Sequence, residues 1–199
     1  MEIEKLSAME AIRRRPHLYL GDTQRRRTLV VRAVLDTVLA VDCSWTRLEV
    51  RWTPEGTVHL EDDDVSLPLD DHPQGRPRLE RLATELFAGC GRRPRGMDLC
   101  LVNAVSEWLE LEVRHPDELY RQRFEAGQPQ RPHGAPARAP RGTSTSFKPN
   151  PALLGEDEPL TPESLLHELQ VRLAAEEQPP AVTFESVPDG LVLTRTAPA

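Results

Sequence analysis

Apolar and polar residues alternate from Arg47 to Trp52 (Arg-Leu-Glu-Val-Arg-Trp), the period-two pattern of a half-buried strand. Pro54-Glu55-Gly56 is turn chemistry, and Thr57 to Glu61 returns as a second strand. Ala181 to Glu185 and Leu191 to Thr196 read as a last hairpin around Pro188-Asp189-Gly190. Other segments follow the helical period. Leu29, Val30, Ala33, Val34, Thr37, Val38 and Val41 form one apolar stripe. Leu79, Leu82, Ala83, Leu86 and Phe87 predict an amphipathic helix over Leu79 to Ala88, closed by Gly89. Thr161 caps a helix with Pro162 in its first position, and Leu165, Leu166, Leu169, Val171 and Leu173 supply its apolar side. Near the start, Ser7-Ala8-Met9-Glu10 fits a capping box, and the short helix it opens must stop at Pro16.

Composition narrows the class. The 199 residues suit one domain spanning 1–199, and 38% apolar with 29% charged residues describes a globular chain with a polar surface. Nineteen prolines predict long loops, and 126–141, rich in Pro, Gly and Arg, reads as a mobile one. No apolar run approaches the ~20 residues of a membrane span, and no signal-peptide core opens the chain. Cys43, Cys90 and Cys100 lack metal-ligand spacing and read as reduced thiols of a cytoplasmic protein, packed as small hydrophobes. A net charge of -7 argues against broad DNA affinity. The arginine triplets 13–15 and 25–27 read either as solvated faces or as contacts to a phosphate or a partner.

Leu60-Glu61-Asp62-Asp63-Asp64-Val65-Ser66-Leu67-Pro68 runs from a strand into an acidic loop. It resembles the adenine-binding segment of the gyrase B ATPase domains of the GHKL family, with Asp62 in the Asp place and Leu67-Pro68 in the Ile-Pro places. Asp64, Val65 and Ser66 stand where that family has Gly-x-Gly. AIRRRPHLYLGD (11–22) is similar to the family's opening run through Arg15, Pro16, Tyr19, Gly21 and Asp22. LCLVNAVSE (99–107) followed by 108–113 resembles its helix-then-strand. Leu119 to Glu125 resembles the next strand through Tyr120-Arg121-Gln122, and Gly142-Thr143 the start of another.

The resemblance implies an α/β (α+β) two-layer sandwich: a mixed, largely antiparallel sheet of the Bergerat type with helices on one face. It also marks departures. The Glu that serves the family as general base is Ala33, which accepts no proton, and the Asn that ligates magnesium is Thr37. Both also read as packing residues. The long glycine-rich lid, whose backbone amides cradle phosphates, is reduced to 90–98, where Gly96 matches one glycine. His115 takes the place of an arginine near the nucleotide. The nucleotide pocket implied by the resemblance is Thr37, Asp62, Val65, Leu67, Pro68, Leu82, Gly96, His115 and Thr143, with Asp62 either accepting from the adenine amino group or capping a turn. No catalytic residue, metal or cofactor is expected, and ATP with magnesium enters only if the chain is an ATPase with residual activity. Nothing corresponds to the transducer or DNA-cleaving regions, and the short stretch before Ser7 argues against arm exchange. The expected role is noncatalytic: a domain that binds a protein partner, a gyrase-like subunit or a second copy, with DNA and membrane binding not expected. No P-loop, G-x-S-x-G or zinc spacing offers another active site.

Overall fold

The computed structural model describes residues 6–22, 26, 30, 46–63, 77–86, 95–116, 118–131, 133–135, 140–155, 160–175, 181–186 and 191–195. The apolar helix expected over 29–41 lies outside them, apart from the buried Val30.

Alternating patterns become strands β1 (Arg47–Trp52), β2 (Val58–Asp62), β3 (Ser106–Arg114), β4 (Leu119–Glu125), β5 (Gln128–Pro129), β6 (His133–Ala135), β7 (Gly142–Pro149), β8 (Ala181–Ser186) and β9 (Leu191–Arg195). They form one sheet in the order β5-β4-β3-β7-β2-β1-β8-β9, with β6 also on the outer edge of β4. Every pairing is antiparallel except β1 with β8, so the sheet is mixed and largely antiparallel, as expected. The helices are α1 (Ala8–Arg14), α2 (Pro16–Leu20), α3 (Arg78–Thr84), α4 (Arg95–Ala104), α5 (Pro151–Leu154) and α6 (Pro162–Ala175).

The period-two alternation places Leu48, Val50, Leu60, Leu111, Phe147 and Phe184 on one face of the sheet. There they pack with Leu79 and Leu82 of α3, Leu99 and Val102 of α4, and Leu165, Leu169 and Leu173 of α6. A second core lies behind α4, where Cys100, Leu101 and Ala104 meet Met9 and Ile12 of α1, Leu20 of α2 and Leu154 of α5. Helix α4 is therefore buried on two sides, which accounts for its unbroken apolar run. The opposite face of the sheet is polar. Arg121 pairs with Glu112, and the Arg123 guanidinium lies 4.4 Å from the Trp108 ring centroid. Exposed pairs of this kind contribute little individually and chiefly keep that face wet.

Local signals are met at several points. Ser7 and Glu10 form the reciprocal capping box, with Ser7 N–H to Glu10 Oε2 at 2.9 Å and Glu10 N–H to Ser7 Oγ at 3.2 Å. Helix α1 stops at Arg14, but Pro16 then opens α2 at its first position, where a missing N–H costs nothing. Thr161 Oγ1 accepts from Ser164 N–H at 3.3 Å and caps α6.

Three expectations need correction. The helix expected to reach Ala88 ends at Thr84, and Glu85 is already extended (φ -117°, ψ 129°). Thr84 Oγ1 turns back to the Glu80 carbonyl (2.8 Å), while Glu85 is held by Arg81 at 2.9 Å; Gly89 lies outside the described residues. Val171 is 50% exposed, because Leu165, Leu169 and Leu173 follow one helical row and Val171 sits about half a turn away from it. Within 126–141, read as a loop, β5 and β6 pair with β4. Ala126 (φ 49°) and Gly127 (φ 85°) join Glu125 to Gln128 in a two-residue turn with both φ angles positive, the geometry that matches strand twist.

Among the described residues no helix is long and apolar enough to cross a membrane.

Candidate functional site

The hairpin β1–β2 delivers Asp62 and Asp63 to the middle of the sheet. Val58 and Leu60 point inward, so the same parity turns Asp62 toward the helix-bearing face. Directly opposite on β7 is Thr143, which also pairs with Val113 of β3. Thr143 is buried and Asp62 half-buried. The Asp and Thr that the resemblance assigns to one pocket are thus cross-strand neighbours. Leu82 of α3 is buried in the apolar cluster that contains Leu48 and Val113, the cross-strand partners of Asp62 and Thr143 on their other sides.

The pair needs the glycine before Thr143. A Cβ built on Gly142 would stand 2.3 Å from the Asp62 carbonyl oxygen, closer than any side chain can approach. Gly142 lets β7 begin directly against the end of β2.

Asp63, the next acid, is held by the residues that open β1. Its Oδ1 accepts from the N–H of Thr46 (2.7 Å) and of Arg47 (3.1 Å), and its Oδ2 from the Thr46 hydroxyl (2.6 Å). Burial pushes the Asp63 pKa up, but the Thr46 hydroxyl and the two backbone donors outweigh it and hold the carboxyl below the usual range. Asp63 therefore ties the end of β2 to the start of β1.

Behind the pair, on the polar face, Arg114 is 7% exposed and donates three ways: Nε to Pro140 O (3.0 Å), Nη1 to Glu112 Oε1 (2.8 Å) and Nη2 to Glu61 Oε1 (2.7 Å). It knits β2, β3 and the approach to β7 at the level of Gly142, its register partner. Sequence reasoning missed Arg114. Its signal was an arginine closing an alternating strand with Glu112 two residues away on the same face. Desolvation pushes Glu112 up, and bonds from Arg121 and Arg114 more than reverse it.

The remaining site residues divide. Gly96 is the second residue of α4, so the helix starts inside the stretch that resembles the lid. His115 stands just past β3, its N–H donating to Glu118 O at 2.8 Å to close the turn into β4. Ala33, Thr37, Val65, Leu67 and Pro68 lie outside the described residues. No group of three or more His, Cys, Asp or Glu side chains suited to a metal ion occurs among the described residues.

Asn103, from the helix-then-strand match, is fully buried. Its amide donates to Ala83 O at 2.8 Å, with Gly127 O at 3.4 Å and Met9 Sδ at 3.7 Å, so it joins α4 to α3, α1 and the β4–β5 turn. Of the two arginine triplets, Arg13 donates to Ala104 O (2.7 Å) and Ser106 O (3.1 Å), and burial lowers its pKa. Arg26 donates to Gly21 O (3.0 Å) and Leu153 O (3.2 Å). Both fasten backbone, a use that neither a solvated face nor a phosphate contact anticipates.

No family model matches the chain. It is 36% identical over 185 residues to the B subunit of DNA gyrase from Thermotoga maritima, an alignment covering 84% of this chain and 28% of that protein. It is 33% identical over 165 residues to the B subunit of the type 2 topoisomerase from Aquifex aeolicus (76% of this chain, 21% of that protein). It is 30% identical over 168 residues to the B subunit of DNA topoisomerase 4 from Staphylococcus aureus (74% and 24%). The chain spans about a quarter of the length of the curated relatives it matches. With this similarity over most of its length, and a mixed sheet covered by helices on one face, the chain is a gyrase-B-like domain related to the B subunits of type II topoisomerases.

Proposed function

We propose that this domain is a noncatalytic member of its family that works by binding a protein partner. The observation that carries the reading is Ala33 in the place of the family's general base, in a chain that otherwise keeps the scaffold. A general base contributes ~100- to 10,000-fold to proton-transfer steps, and a methyl group contributes none. Thr37 in the magnesium position, Asp64 and Ser66 in the glycine places, and the short 90–98 stretch point the same way. Asp64 would add negative charge beside the phosphates. The buried amide of Asn103 and the backbone-fastening Arg13 preserve shape rather than chemistry. Candidate partners are a gyrase-like subunit or a second copy, in the cytoplasm.

One observation favours the rival, an ATP-binding domain with residual activity: Asp62 and Thr143 remain paired. Two measurements separate the readings. Phosphate release with ATP and magnesium is expected to stay at background, and calorimetry is expected to show ATP binding no tighter than adenosine. Turnover abolished by Asp62→Ala, or micromolar magnesium-dependent ATP binding lost in that variant, establishes the rival.

A further inference from the structure

Four large apolar side chains are exposed among the described residues, and three of them, Leu6, Leu18 and Tyr19, line one cleft. The cleft measures about 320 Å³ and is completed by Ala11, Arg14 and Arg15. Its origin is local. Arg15 (φ -141°, ψ 61°) breaks the helix and Pro16 restarts it, so α1 and α2 meet at an angle with a furrow between them. Met9, Ile12 and Leu20 face the core, and Arg13 is committed to the carbonyls of Ala104 and Ser106. The opposite sides of α1 and α2 are left to form the furrow. Leu18 is 63% exposed, an unusual placement for leucine, next to a half-exposed tyrosine and two guanidinium groups. Clustered apolar exposure marks an interaction site, and tyrosine and arginine are the residues that most often anchor one.

We infer that this cleft docks a short acidic segment of another protein that inserts a bulky apolar side chain between Leu18 and Tyr19 while its carboxylates meet Arg15. The inference deepens the binding role proposed above and rests on it. Charge selects the occupant. A second copy docking through the same patch would form a two-fold interface and bring the Arg15 guanidinium groups of both copies together, which like-charge repulsion opposes. Nucleic acid would match the arginines but offers no aliphatic group for Leu6 and Leu18, and the chain carries a net charge of -7. An acidic and apolar peptide satisfies both halves of the cleft.

The test is selection of a random 12-residue phage-displayed peptide library on the intact chain, followed by fluorescence anisotropy with the most enriched peptide. Enriched sequences are expected to carry Asp or Glu around Leu, Phe or Trp. Leu18→Ser and Arg15→Glu are each expected to weaken binding by at least about tenfold, with the thermal midpoint unchanged because both lie at the surface. Replacing the peptide's acids by Asn and Gln is expected to do the same. No enrichment, enrichment of basic or uncharged peptides, or binding indifferent to both substitutions overturns the inference. So does a dimer in light scattering that Leu18→Ser dissociates, since the cleft is then occupied by a second copy. These failures differ from that of the binding role as such, which falls to ATP turnover.

Discussion

Ala126 is the one described residue other than glycine with a positive φ, 49°, at the first position of a two-residue turn. Its Cβ costs about 1 kcal/mol there, and asparagine is favoured at that place. Ala126→Asn is therefore expected to raise stability by about 0.5–1 kcal/mol in urea unfolding. Gly142 works in the opposite sense: Gly142→Ala forces the Asp62 carbonyl away and is expected to cost about 1–3 kcal/mol in the same measurement. Charge gives a further test. Asp63 and Glu112 both sit below their ordinary pKa in the fold. Such groups contribute stability that is present above the unfolded value, about 4, and is lost as pH falls through the folded one. Urea midpoints measured from pH 6 to pH 3 should fall less steeply in Asp63→Asn and Glu112→Gln than in the parent. The Cys100 thiol is buried and pushed up to about 12, by desolvation first and then by Glu85, which makes it a packing group rather than a nucleophile.

At the scale of elements, period and caps were legible where one face is wet. β1, β2 and the capped α1 and α6 follow from alternation and capping alone. The end of α3 was not legible, because the Thr84–Glu80 and Glu85–Arg81 contacts compete with a periodic pattern that continues to Phe87. β5 and β6 were hidden because both are short and each carries a proline or a glycine, and an Ala-Gly pair is not a customary hairpin signal. Asp62 opposite Thr143 was anticipated from the resemblance, while the hold of Asp63 on the start of β1 needed the Thr46 and Arg47 contacts. Helix α6 offers a direct comparison of inward and outward positions. Leu169→Ala, at 0% exposure, should cost about 2–5 kcal/mol in denaturant unfolding, whereas Val171→Ala should stay within about 0.5 kcal/mol.

For the whole molecule, the parallel pairing of β1 with β8 carries the most weight. β1 lies between β2, its neighbour in sequence, and β8, from the far end of the chain. Val182 and Phe184 complete the core beside Leu48 and Val50. A chain truncated before residue 181 should therefore lose cooperative thermal unfolding, followed by circular dichroism, rather than shed an independent hairpin.

That pairing also reaches back to biosynthesis. A ribosome delivers β1 and β2 long before β8, so the growing chain carries β1 with one edge unpaired until residues 181–186 have emerged. Closure of such a distant contact pays its loop entropy late, which makes this pairing slow and leaves the free edge of β1 open to capture by chaperones or by strands of other chains.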